Sequence, residues 1–373
     1  MSADRNAKHV FCSPLRYTQG PGVTRDLGPE MVGVGLSGPV LVIASATPAR
    51  VLGKIWQSSF DEAALAHQVE TFGGECSHIE IDRLCGVVRD LDAKSIVGAG
   101  GGKVIDTARA VADACNLPVV SCPTVAASDA PTSALSVIYT TDDDFQAYLF
   151  YQHNPSLVLV DTEVIAAAPV RFLSAGIGDG LATMYEADAV FKSGKLNFRG
   201  GHSSITARMI AKACHDTLLE HGVQACEAVA QGLLDDHVEQ VVEANVLMSG
   251  LGFESVGVAA AHAIHNGLTM LAPTHDYLHG EKVAFGLISQ LMMERQDSGL
   301  LEEVVRFCSA VNLPTTFADI GLDGVSDADL KKVAVRATLP EETIHNEPFE
   351  VTPSMVVEAM RAADALGRSL ASS

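Results

Sequence analysis

Residues 95 to 123 constrain the fold most. "SIVGAGGGK" (95–103) is a short β-branched run that closes on glycines. "VIDTARAVADAC" after it carries apolar residues at helical spacing, and "PVVSCP" (118–123) is β-branched again. Strand, glycine turn, helix and strand make a βαβ unit, which implies a parallel sheet with helices over its faces. "PVLVIASA" (39–46), followed by a helix-like stretch, repeats the rhythm earlier in the chain, and "SLVLVD" (156–161) adds one more strand. Between them "LSVIYTTDDDFQAYLFY" departs from it: two alternating runs around Thr-Thr-Asp-Asp-Asp read as a hairpin.

After "TEVIAAAPVRFL" the pattern changes, and strand-like alternation gives way to apolar residues at helical spacing. Helices are predicted over Gly178–Val190, His202–Glu220, His237–Leu251, Val256–Leu271, Gly280–Arg295, Leu301–Val311, Asp327–Thr338 and Pro353–Leu366. A chain of 373 residues is too long for one small core. It is therefore divided into an α/β domain over residues 1–165 and an all-helical domain over 166–373, with no internal repeat.

Charge narrows the partners. Lys and Arg number 25 against 46 Asp and Glu, a formal charge of −21 that repels a phosphate backbone, so nucleic acid is not expected. No run of eighteen apolar residues suits a membrane span. The start, "MSADRNAKHVFCSPLRY", has no apolar core of a secretory signal, and a cytoplasmic location is expected. The eight cysteines (Cys12, Cys76, Cys85, Cys115, Cys122, Cys214, Cys226 and Cys308) lack any C-x-x-C spacing and read as reduced packing thiols.

Three stretches carry chemistry. Gly98 to Lys103, "GAGGGK", sits where a strand ends and a helix begins, so backbone N–H groups and a positive helix end face outward. It fits neither G-x-G-x-x-G nor the P-loop, because Lys103 stands where a glycine is needed. A phosphate site and a close-packed turn both remain open, and Asp106 reads equally as a solvated first-turn acid. "AAAHAIHNG" (259–267) and "THDYLHGEKVAFG" (274–286) place His262, His265, His275 and His279 within eighteen residues. Residues three apart share a helix side, so His262 and His265 can face one pocket; imidazole is a common zinc ligand, and buried histidines bonded to carbonyls are the alternative. Asp179, near Gly176, Gly178 and Gly180, is either an oxygen ligand or a helix N-cap.

Together with "GGGKVIDTAR", "PTVAASDAPTSALSVIY" and "NPSLVLVDTEVIAAAPVRFLSAGIGDGLATMYEA", these strings resemble the glycerol dehydrogenases of the metal-dependent, iron-containing-type alcohol dehydrogenase superfamily over most of the chain. The resemblance implies a dehydroquinate synthase-like fold, with a Rossmann-like dinucleotide-binding domain followed by an all-helical domain for metal and substrate. It implies Asp179, His262 and His279 as metal ligands contacting substrate, His265 as a neighbour and His275 as a loop residue. Asp129 matches the acidic residue near the substrate hydroxyls. Gly102, Lys103, Val104, Ile105 and Asp106 match the pyrophosphate loop, and Thr124, Val125, Ala126, Ala127, Ser133, Leu135 and Tyr139 match further positions along the dinucleotide cleft.

Two departures qualify the match. Iron-type members carry a histidine four residues after the metal-binding aspartate, and here Thr183 stands there; three ligands favour Zn²⁺. Ser45 stands where many members have a ribose-binding aspartate, which leaves NADP open beside the expected NAD. The implied reaction is hydride transfer from glycerol or a related vicinal diol to NAD, yielding dihydroxyacetone or the corresponding ketone, in a homo-oligomer. Enzymes of the same fold that act on phosphate esters, dehydroquinate synthase-like or glycerol-1-phosphate dehydrogenase-like, need several cations at the site, where only Lys282 and Arg171 are evident. A catalytically silent scaffold is the third alternative.

Overall fold

The computed structural model of the chain describes residues 8–140 and 145–372. It comprises two compact units: residues 13–169 with 232–234, and a second made of the N-terminal segment through Cys12, residues 170–231 and the chain from 235 onward. The sequence reading divides the chain at 165/166, and the structural division falls at Pro169/Val170.

The first unit is built on a six-stranded sheet of β1 (Tyr17–Gly20), β2 (Val40–Ala44), β3 (His67–Thr71), β4 (Ser95–Gly100), β5 (Val119–Pro123) and β8 (Leu157–Asp161) in the order β1-β8-β5-β4-β2-β3, all parallel. Alternate residues serve opposite faces. Leu41, Ile43 and Ile96 pack with α3 (His78–Leu91) and α4 (Gly102–Cys115), whereas Val40, Val42 and Val97 pack with α1 (Leu27–Gly33) and α2 (Ala46–Glu62). Burial on both sides explains the unbroken apolar runs of the central strands. The edge strands β1 and β3, with sequences YTQG and HQVET, are half-buried and carry polar residues, and for that reason they lack a readable apolar run.

The chain leaves β2 for β3 on one side and returns to β4 on the other, so the carboxyl ends of β2 and β4 adjoin at a topological switch point, the usual ligand position in such sheets. Ser45 follows β2 and its N–H donates to Ala99 O at 3.4 Å. A Cβ on Gly100 would stand 2.9 Å from Ser45 Oγ, so glycine is needed for this approach. Strands β6 (Leu135–Tyr139) and β7 (Phe145–Phe150) form the antiparallel hairpin, paired from Leu135↔Phe150 to Tyr139↔Phe145. Most of its turn lies outside the described residues. The short helix α5 (Thr162–Ala166), capped by Asp161, ends the unit.

The second unit is helical: α6 (Val170–Ser193), α7 (Ile205–Ala230), α8 (Asp236–Glu243), α9 (Ser249–Val256), α10 (Ala260–Leu268), α11 (His279–Met293), α12 (Ser298–Ala310), α13 (Asp327–Ala337) and α14 (Pro353–Ala371). Several predicted helices differ: α6 begins eight residues before the predicted Gly178, and α7 ends ten residues after the predicted Glu220. The 237–251 stretch is α8 and α9 joined by a π-helical turn at Ala244–Met248, which turns Asn245 inward to donate to Leu173 O. The 256–271 stretch begins only at Ala260, because Gly257 at φ 107° breaks the chain direction. Residues 8–12 belong with these helices: His9 bridges His202, Asn197 Nδ2 donates to Val10 O, and Cys12 N–H donates to Ser255 Oγ. Among the described residues no single helix is long and apolar enough to cross a membrane; the pair 236–256 and 260–268 is so together, but bent by 102°. All eight cysteines are free, six of them buried.

Candidate active site

Three helices of the second unit bring the ligand candidates to one point. Asp179 lies in the middle of α6 rather than at an N-cap, buried at 1 % exposure. Its setting depends on small neighbours. A Cβ on Gly280 would stand 1.7 Å from Ala175 O, and one on Gly178 would stand 2.4 Å from Gly280 O, so α6 and α11 touch backbone to backbone beside the aspartate. That contact places His279, the first residue of α11, against Asp179. On the other side of α11, Gly286 lets Ala261 O of α10 approach in the same way, a Cβ there lying 2.4 Å from it.

Asp179 Oδ1 stands 3.3 Å from His262 Nε2 and 3.2 Å from His279 Nε2. Among the described residues this is the group of three or more His, Cys, Asp or Glu side chains whose ligand atoms converge within 4.8 Å. Donors held at about 2.0–2.1 Å around a tetrahedral metal lie roughly 3.3 Å apart, so the residues fit a divalent transition metal. Asp179 and His262 are enclosed, whereas the His279 side chain is 40 % exposed and marks the open side.

Each imidazole is held from behind. His262 Nδ1 donates to Glu186 Oε2 at 2.6 Å, and Glu186 is fully buried. His279 Nδ1 donates to His265 Nε2 at 3.0 Å; His265 Nδ1 then donates to Asn266 Oδ1, and Asn266 Nδ2 to Glu342 Oε2, which is paired with Arg336 through its other oxygen. These tautomers follow from the hydrogen-bond network. Burial, followed by the nearby His279 and Lys282, holds His265 well below its ordinary pKa, consistent with its accepting role. Burial opposes charge on His262 as well, yet Glu186 and Asp179 outweigh it and push its pKa well above the ordinary value. Burial likewise opposes charge on Asp179, and His279 and His262 overcome it to hold the carboxyl below the usual range. A buried imidazole between two carboxylates makes a site that retains positive charge, and a metal displaces the proton there.

Of the remaining histidines, His275 bonds Thr269 O and takes no part. Thr183, at the position of the additional histidine, shares a hydrogen bond with Ser249 at 2.9 Å and packs against Gly252 inside the bundle. The two cations considered for a phosphate are engaged: Arg171 bonds both oxygens of Glu281 on the wall of an open cavity of about 650 Å³, and the buried Lys282 donates to Thr274 O. Glu186 was not singled out in the sequence. The available signal was its place two helical turns after Asp179, the only buried acid of that face besides it.

In the α/β unit the cofactor candidates gather around the carboxyl ends of β2, β4 and β5. Gly101 caps α4 without any side-chain bond, and Gly101, Gly102 and Lys103 are partly exposed. Thr124 N–H donates to Gly100 O, Val125 Cγ2 lies 3.7 Å from the Cβ site of Gly101, and Ala126 is buried beside the partly exposed Ala127. Lys103 pairs with Glu75 at 2.6 Å and lies over the Tyr139 ring. Val104 and Ile105 are buried, so only their backbone is available to a ligand. Asp106 turns its carboxylate inward: Oδ1 meets Arg109 at 3.2 Å and Oδ2 accepts Val137 N–H. Arg109, at 2 % exposure, also donates to the carbonyls of Leu135 and Ala130. It thereby ties the loop carrying Asp129, Ser133 and Leu135 to the glycine-loop helix. Asp129 is buried just before the turn Ala130–Thr132, and Ser133 Oγ donates to Ala130 O.

Comparisons with known proteins agree with this architecture. Residues 14–162 match the family described as iron-containing alcohol dehydrogenase. The chain is 51 % identical over 355 residues to a glycerol dehydrogenase of Thermotoga maritima, covering 95 % of this chain and 96 % of that one. It is 46 % identical to a glycolaldehyde reductase of Halobacterium salinarum, with coverage of 96 % and 98 %. The crystal structure of glycerol dehydrogenase from Schizosaccharomyces pombe superposes with a TM-score of 0.93 at 39 % identity, covering 98 % of this chain and 93 % of that one. With likeness of this extent, and with one carboxylate and two imidazoles converging in its helical unit, the chain belongs to the iron-containing alcohol dehydrogenase family of oxidoreductases, in the group that holds the glycerol dehydrogenases.

Proposed function

We propose that the protein is a zinc-dependent, NAD-linked dehydrogenase of glycerol or a related vicinal diol. The observation that carries this reading is the convergence of Asp179, His262 and His279 on one open-sided point. Zinc is preferred over iron because Thr183 replaces a fourth ligand, and three protein ligands with a free position are the usual catalytic zinc arrangement. Bound there, it supplies the Lewis acidity that favours loss of the hydroxyl proton from an alcohol and polarises a carbonyl in the reverse direction. The dinucleotide supplies the hydride acceptor.

The chain's own residues do the rest. Asp179 contributes the anionic ligand, while Glu186 and His265 keep the Nε2 atoms of His262 and His279 turned toward it. Gly101 to Lys103 present backbone N–H groups at the start of α4, where a pyrophosphate is favoured. The family resemblance makes NAD the first choice, and Ser45, at the switch point, adds no charge against a 2′-phosphate, so NADP is the comparison. Asp129 is the candidate acceptor for a second substrate hydroxyl. The likeness to a glycolaldehyde reductase supports a second reading, in which a small hydroxycarbonyl compound is reduced at the same site.

The test is the growth of NADH absorbance on mixing with glycerol, 1,2-propanediol and other diols, with its loss after chelation and return with zinc. His262→Ala should lose the metal and at least about 10³-fold in kcat/KM, equivalent to roughly 4 kcal/mol of transition-state stabilisation. A variant with full metal content and the parent rate would remove the assignment.

A further inference from the structure

The start of α10 has an unusual capping arrangement. A helix leaves its first four N–H groups without internal partners, and here the sequence at that point is Ala259-Ala260-Ala261-His262, which offers no capping side chain of its own. Each of the four N–H groups is met by a buried side chain from elsewhere. Glu186 Oε1 of α6 accepts from Ala259 at 2.8 Å and from His262 at 3.0 Å, Gln290 Oε1 of α11 accepts from Ala261 at 2.9 Å, and Glu347 Oε1 accepts from Ala260 at 3.3 Å. Glu186 is alone in this set in also reaching the ligand imidazole, through its second oxygen.

From this division of labour we infer that Glu186 is a positioning residue for the metal ligand His262, selecting the tautomer whose Nε2 lone pair faces Asp179. The inference rests on the metal-dependent reading given above. Oε1 is committed to two backbone donors, which orients the carboxylate and aims Oε2 at Nδ1. Nδ1 therefore carries the ring proton, and Nε2 is left as the donor atom 3.3 Å from Asp179 Oδ1. A carboxylate is required, because both of its atoms accept.

Glu186→Gln tests this without a change of size. The amide oxygen must stay with the two backbone N–H groups, since an NH₂ there would face two donors. The NH₂ then occupies the Oε2 place, donates to Nδ1, and drives the ring proton onto Nε2, the atom that should hold the metal. Zinc affinity of the purified protein, measured by competition with a chromophoric chelator, should fall about 10–100-fold. The visible spectrum of the cobalt-substituted protein should change, and kcat should fall more than the KM for NAD rises. Gln290→Met removes a cap from the same helix without touching His262, so it should lower the thermal midpoint while keeping the parent's zinc affinity and cobalt spectrum. Equal loss of affinity in both variants would assign Glu186 to helix capping and overturn the inference, as would parental affinity and spectrum in Glu186→Gln. A parent protein that takes up no zinc would instead overturn the metal reading itself, and this inference with it.

Discussion

Glu347 is an acid that the fold keeps protonated at neutral pH. Burial, and then the neighbouring Glu294 and Glu186 carboxylates, push its pKa up to about 9 from an ordinary 4.5. The unfolded chain releases this proton near the ordinary value while the folded chain retains it. The stabilisation is thus complete at low pH and is lost as pH rises from about 4.5 towards 9. The denaturant midpoint should decline across that interval, and Glu347→Gln, which stays neutral and keeps an acceptor for Ala260 N–H, should flatten the decline; equilibrium unfolding at several pH values checks it. At this scale the sequence was unevenly informative. Asp179, His262 and His279 could be placed through motif strings, whereas Glu186, Gln290 and Glu347 could not, because their meaning comes from three elements that meet only in three dimensions.

At the scale of elements, the helices α6, α10 and α11 form the frame of the site, and glycines set their spacing. Gly280→Ala would place a methyl group 1.7 Å from Ala175 O, with backbone rather than a movable side chain in the way. The helices must separate, at a cost of about 1–3 kcal/mol or more. Because His279 precedes this glycine directly, the same shift should weaken zinc binding and lower kcat, whereas Gly53→Ala, at an open position inside α2, should leave both unchanged and raise stability by about 0.5–1 kcal/mol; denaturation curves and metal titration on both variants distinguish them. The glycines near Asp179 were visible in the sequence as a license for close approach, although which backbone came close was not. The central strands were readable from their continuous apolar runs, and the edge strands β1 and β3 were hidden by their polar, half-exposed residues.

For the whole molecule, all three candidate ligands and the groups behind them belong to the helical unit, while the cofactor candidates belong to the α/β unit. Binding energy is therefore delivered separately. Free zinc at about 100 times its Kd should stabilise the folded state by roughly 2.7 kcal/mol, and removal by chelator should lower the unfolding midpoint accordingly. Differential scanning calorimetry with zinc, with NAD and with both measures the two contributions. The division into an α/β part followed by helices was legible because the apolar period changes after Thr162–Leu173. The return of residues 8–12 to the helical unit was not, since "KHVFC" has no period to read and its partners lie far along the chain.

That return has a consequence for synthesis. Val10 and Cys12 find their partners Asn197 and Ser255 187 and 243 positions later in sequence. At about 5–20 residues per second a ribosome takes on the order of 10–50 s to make that length. The stretch 13–169 lies between residues 8–12 and both partners, so the segment waits through its synthesis, and that of α6 and α7, before its bundle exists. Docking of residues 8–12 onto the helical unit accordingly has to follow the synthesis of Asn197 and Ser255.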